Sequence, residues 1–295
     1  MAIATDIGIP DGAVRRRRLG RERLFYRLCA APALLLTLLV GIAPLVLMLI
    51  QSVRDQQTEA WTLDYYLSSF TNTFFTRTLA TTIAMAAGVA VIAILIALPM
   101  AYLLARKTLA RNLLMPVITV PRMLPFVVIG YAMILLLAPV TGVLNKMLVG
   151  TGILSEPLFI LFEWPGQALA FGYAAIVVAI GILTGVLMSV DPQLEDAAVS
   201  LGASRLRSFF TVTLPLSVPG IIAAGALIFT SVTTAYSIPV MLAGRQPYMI
   251  SIVVATNLLT LQEPRLAYAQ AAVVSVLAIG ATGFAQFVLS RYGRK

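Results

Sequence analysis

Residues 194–220 read LEDAAVSLGASRLRSFFTVTLPLSVPG, a charged and hydroxyl-rich island between two long apolar runs. In it Asp196-Ala197-Ala198 is followed after three residues by Gly202. Nine residues beyond that glycine come Val212, one residue, and then Leu214-Pro215. The local chemistry predicts two short helices joined at a bend. Pro192 suits a helix start, residues 193–205 are good helix formers, and Glu195 and Asp196 fall in the first turn, where negative charge complements the helix dipole. Gly202 permits a turn that a Cβ would resist. Residues 208–214 suit a second short helix. Pro215 and Pro219 then redirect the chain into the next apolar run, because proline fits a first turn and not a helix interior.

Outward from the island the chain is strongly apolar. Of 295 residues, 60% are hydrophobic and 11% charged, where soluble domains carry about 25% charged residues. Six apolar runs lie near 28–50, 78–104, 113–139, 168–190, 219–242 and 266–289. Each has the length that crosses roughly 30 Å of hydrocarbon as a helix, and continuous runs argue against a β-barrel, whose segments alternate over about 10 residues. The expectation is an all-α membrane protein with six transmembrane helices. The basic tail at 1–27, the six-span domain at 28–290 with its polar loop at 191–218, and the tail at 291–295 are its expected divisions. The first run exceeds the apolar core of a cleavable leader, about 7–15 residues, and is read as a retained span.

An even number of spans puts both termini on one side. Fifteen of the 21 Lys and Arg fall on the side holding the termini and the 191–218 loop, five on the other, and Arg122 lies within the third run. Basic residues accumulate in the cytoplasm, so the termini and the loop are placed there. That distribution also accounts for the net charge of +9 without a nucleic-acid partner. On the opposite side, Trp61, Phe162 and Trp164 suit interfacial anchoring, and residues 248–259 suit a re-entrant or surface helix.

The island resembles the cytoplasmic EAA loop of permease subunits in type I binding-protein-dependent ABC importers: Glu-Ala-Ala, three residues, Gly, nine residues, Ile, one residue, Leu-Pro. Asp196 and Val212 stand where that pattern has Glu and Ile. The wording of PLSVPGIIAAGALIF and GVLNKML is most similar to the spermidine/putrescine branch. The resemblance, over about 28–290, implies the type I permease fold in a bacterial cytoplasmic (inner) membrane. It implies a coupling role for Glu195, Asp196, Ala197, Ala198, Gly202, Leu214 and Pro215. It further implies two cytoplasmic ATPase subunits, an external or periplasmic substrate-binding protein, and a second permease subunit, a heterodimer in preference to a homodimer. The chain lacks a GxxxxGK[ST] phosphate loop, so ATP and Mg²⁺ enter only through the partner ATPase, and no cofactor is expected on this chain.

Other chemistry has little to work with. There is no His and one Cys, Cys29, so no catalytic or metal-ligating set is expected. All twelve acidic residues lie outside the spans. An ion-coupled secondary transporter, the alternative reading, needs carboxylates within the membrane, and a polyamine would be helped by them too. Opines, amino-acid derivatives and aminophosphonates therefore stand beside polyamines as candidate solutes. Arg122, in the proline-broken MPVITVPRMLP of the third run, either contacts an anionic group or reaches the cytoplasmic interface or carbonyls freed by the prolines. Tyr131, Thr230, Thr233, Thr234, Tyr236, Ser237 and Asn257 complete the candidate pathway, the hydroxyls of the fifth run forming an i, i+3, i+4, i+7 stripe. Ser and Thr also serve ordinary helix packing, as does the Gly181–Gly185 pair.

Overall fold

The computed structural model describes residues 31–242, 244 and 249–292. The expected tail at 1–27, the start of the first run and the last three residues lie outside that set. Among the described residues there is no β-strand, only an isolated antiparallel bridge between Arg54 and Trp61. Five helices are long and apolar enough to cross a membrane, or six if one sharply bent pair counts as a span.

Helix α1 runs Ala31–Ser52. It holds a π-helical stretch at Thr37–Ile42, just ahead of Pro44. Proline has no N–H for the carbonyl four residues back, and the ladder shifts there: Ala43 N–H reaches Leu38 O. Helix α2, Asp64–Thr71, leads to α3, Thr73–Arg106. The Asn72 side chain accepts from Phe74 N and Phe75 N, so α3 begins five residues before the apolar run expected at 78.

The third run departs most from expectation. Helices α4, Thr108–Arg122, and α5, Phe126–Leu137, meet at 97°, so no single straight span forms over 113–139. The cause is local. Pro121 and Pro125 remove ladder donors, and the residue before a proline, Leu124, is pushed out of helical geometry. Helix α6, Val143–Gly150, follows, and then α7, Trp164–Met188.

The core is the packing of α3 along α7. Ala86, Ala90, Ala93, Ala97 and Ala101 on α3, with Ala170, Ala174, Ala175 and Ala179 on α7, are all buried in one cluster. Small residues let membrane helices approach closely, where dispersion and not the hydrophobic effect drives association. After α8, Pro192–Ser200, the 29-residue helix α9, Arg205–Thr233, packs on α3 and α7. Gly220 marks its tightest approach: a Cβ there would sit 2.4 Å from Val186 Cγ1. Of the expected packing pair on α7, Gly185 faces open space.

The fifth run also breaks early. Helix α9 ends at Thr233, and Ser237–Met241 forms a separate short helix, α10. Pro239 has no N–H for Ala235 O, which accepts instead from Ser251 Oγ at 2.6 Å. The hydroxyl stripe expected on one helix face is therefore split between two elements. Helix α11, Ile250–Leu259, is too short to span, as expected, and α12, Pro264–Tyr292, packs on α1, α9 and α11.

Buried Asn145 organises the loops between α5 and α7. Its Nδ2 donates to Leu137 O, Ala138 O and Leu158 O at 3.0–3.2 Å, and its Oδ1 accepts from Leu158 N at 2.8 Å. Replacement by alanine strands several buried backbone groups, each costing about 1–3 kcal/mol. Asn145→Ala should lower the thermal unfolding midpoint of the detergent-solubilised protein by several degrees; an unchanged midpoint would show that water replaces these bonds.

Candidate coupling site and substrate pathway

The island folds as a helix, a left-handed bend and a second helix. Asp191 Oδ1 caps α8 by accepting from Gln193 N at 2.9 Å, with Pro192 as its first residue. The helix stops at Ser200 rather than continuing to 205. Gly202 takes φ +93°, and the end is closed by Gly202 N to Val199 O and Ala203 N to Ala198 O, 2.9 and 3.1 Å. Nothing lies within 4 Å of a Cβ at Gly202, so its backbone angle and not crowding calls for glycine. Ser204 then caps α9 through Arg207 N. Instead of an independent second helix, residues 205–214 continue through a π turn at Phe209–Thr213 into the span. Leu214 and Pro215 thus lie inside one continuous rod.

The adjacent acids Glu195 and Asp196 part company. Asp196 and Ala197 face outward with Ala198 half-buried, while Glu195 is only 7% exposed. Arg106, at the end of α3, donates to Glu195 Oε1 from Nε at 3.0 Å and Nη2 at 2.6 Å. Tyr102 donates to Oε2 at 2.9 Å, and Thr213 Oγ1 makes a short bond to Oε1. Arg106 Nη1 also reaches Leu187 O and Val190 O at the end of α7, and Ser208 Oγ donates to Glu195 O. One carboxylate thereby joins α8 to α3, α7 and α9. Burial works to raise its pKa; hydrogen bonds from Arg106, Thr213 and Tyr102, with the Arg106 charge, outweigh that and hold it below the ordinary glutamate range.

Arg106, Tyr102 and Thr213 were not singled out in the sequence. The available signal was positional: Arg106 ends a span on the side of the polar loop, and Thr213 fills the open place between Val212 and Leu214.

The pathway candidates do not converge. Arg122 ends α4 at the elbow and lines an open cavity of about 230 Å³ with Phe126, Ile129, Tyr173, Ala174 and Val178. None of the other candidates lines it. Tyr131, Thr234 and Tyr236 are exposed and Ser237 half-buried. Thr233 is fully buried and bonded to Phe229 O, and the Thr230 hydroxyl is buried without a partner. Asn257 is buried and donates to Gln270 Oε1 of α12 at 2.7 Å.

Residues 93–292, which include the elbow, α7 and the whole 191–218 loop, match the family described as binding-protein-dependent transport system inner membrane component. The chain belongs to that family. It is a permease subunit of an ABC importer, a multi-pass protein of the bacterial inner membrane. It is similar to the molybdenum transport permease ModB of Haemophilus influenzae, 39% identical over 48% of this chain and 62% of the relative. The match therefore spans less than two thirds of that protein. It is 28% identical to the spermidine/putrescine permease PotB of the same organism, over 67% of this chain and 69% of the relative. The polyamine branch is thus not the best-supported one, correcting the expectation from PLSVPGIIAAGALIF and GVLNKML. Asn145 within the latter has a structural job. A chain from the crystal structure of a bacterial alginate ABC transporter superposes with a TM-score of 0.78, covering 93% of this chain and 96% of that one at 18% identity, and shares its fold.

In this permease, removing one partner of the buried pair costs about 3–5 kcal/mol, since the other charge is left uncompensated. Glu195→Ala should therefore lower the unfolding midpoint at pH 7. Because the folded carboxyl has a lowered pKa, its contribution is complete above the unfolded value of about 4.3 and is lost as pH falls through the folded value. The wild-type and variant midpoints should converge only in acid; equal midpoints at pH 7 would remove Glu195 from its structural role.

Proposed function

We propose that this permease forms one half of a translocation pore for a small oxyanion and is driven through α8 by a cytoplasmic ATPase. The Glu195 cluster carries the reading. A docking segment moves a pore only if it is stiffly joined to the helices that line it, and this carboxylate joins α8 to the cytoplasmic ends of three spans. The face of α8 turned away from the cluster offers a partner Asp196, Ala197 and Leu194, with Leu201, 90% exposed, at its end. Two ATPase subunits holding ATP and Mg²⁺, a second permease (a different chain in preference to a copy), and an external binding protein complete the assembly.

Three observations favour an anion over a polyamine. No span carries a carboxylate. A single arginine lines the elbow cavity. The relative named for molybdenum, an element that travels in oxygenated water as a dianion, is more identical to this chain than the one named for spermidine and putrescine.

Proteoliposomes holding the complete transporter should take up molybdate or sulfate, not spermidine, only with ATP inside and the binding protein outside. Gly202→Val forces a β-branched residue to φ +93° and should abolish uptake and weaken ATPase co-purification. Normal transport by that variant would end the coupling assignment, and uptake of spermidine alone would end the anion assignment.

A further inference from the structure

We infer that Arg122 is the residue that contacts the travelling anion, and that Gly181 is the seat that holds its guanidinium at the elbow. The inference rests on the oxyanion reading above and adds the residues that enforce it.

Arg122 is the last residue of α4, at the 97° junction with α5. A helix end leaves carbonyls in need of donors, and an arginine there commonly supplies them. This one does not. Val120 O and Pro121 O accept from Met123 N and Leu124 N, at 3.1 and 3.2 Å. Among the described residues the Arg122 guanidinium makes no hydrogen bond and no ion pair. Those two carbonyls are satisfied without it.

Arg122 is exposed in the single chain, with its guanidinium turned toward α7. Its guanidinium lies against Gly181 of α7, where a Cβ would come within 2.9 Å of Nη1 and 3.9 Å of Cζ. Gly181 is seven residues before Met188, the end of α7, which is about 10 Å along the helix. Arg111, on the same helix as Arg122, shows the contrast: its Nη1 sits 3.5 Å from Met188 Sδ. One arginine of α4 lies by the end of α7 and the other by Gly181, about 10 Å further along that helix.

A cation at that depth is costly unless it faces water or a partner of opposite charge, and the spans of this chain supply no carboxylate. The cavity it lines offers Tyr173, Phe126, Ala174, Val177 and Val178, walls that are apolar apart from the Tyr173 phenol. A planar fork of donors left free in such a place suits an oxyanion, which it engages through paired hydrogen bonds strengthened by charge. The same charge repels a polyamine. Gly181 is a positioning residue: any larger side chain occupies the volume that keeps the guanidinium turned into the cavity.

The test uses the complete transporter in proteoliposomes, with molybdate and sulfate as probes. A charge-assisted hydrogen bond contributes about 1.5–3 kcal/mol, so its loss predicts a roughly 10- to 100-fold effect. Arg122→Gln should cut uptake by that factor, while ATP hydrolysis stimulated by the loaded binding protein stays within about twofold and the subunits still co-elute. Arg122→Lys, which keeps charge and loses the fork, should fall between. Gly181→Val should reproduce Arg122→Gln with assembly and ATP hydrolysis intact. Uptake by Arg122→Gln at the wild-type rate overturns the inference while leaving the oxyanion reading standing. Dissociation of the subunits in that variant also overturns it, making Arg122 an assembly residue. A wild-type transporter that moves spermidine and neither anion removes the oxyanion reading and this inference together.

Discussion

A carboxylate taken out of water must be matched where it lands, and around Glu195 that requirement shapes the whole cytoplasmic end of the molecule. Desolvation alone would favour its protonated form. The match comes from a guanidinium, a phenol and a threonine hydroxyl supplied by two different helices. Because the guanidinium also binds carbonyls of a third helix, the ends of α3, α7 and α9 are referred to a common point. Glu195 of α8 meets Ser208 and Thr213, near the start of α9, at that point.

The two ends of the chain's chemistry are built on opposite principles. Around Glu195 the buried polar side chains are paired with one another. At the elbow a charge is left unpaired beside a cavity, held by shape and not by bonds. Arg106 and Arg122 are the same residue type at the ends of successive helices, yet one is bonded to a carboxylate and the other lines a cavity.

What could be read from the sequence was what depends on length and spacing. Apolar runs long enough for a bilayer are visible as such, and four of them reappear as helices within a few residues of their expected bounds, while the helix of the fifth run starts and ends well before them. The bend at Gly202 was legible because φ > 0 has a residue signature. Features set by helix phase were not. Glu195 and Asp196 look equivalent as letters, but neighbours on a helix point about 100° apart, and only the placement of Arg106 and Thr213 decides which turns inward. The end of α9 was not legible for a similar reason: the hydroxyl-rich 230–237 also suits a helix face, and Pro239 acts on the carbonyl of Ala235, four residues upstream. Asn145 was visible only as part of a family phrase, since its partners are backbone groups that no side-chain pattern reveals.

The length of α3 has a mechanical consequence. Its 34 residues extend about 50 Å, against roughly 30 Å of hydrocarbon. Even with tilt, part of the helix stands clear of the lipid. A helix longer than the hydrocarbon lets Arg106, at its end, meet Glu195 clear of the lipid, so the joint's alignment need not follow changes in membrane thickness.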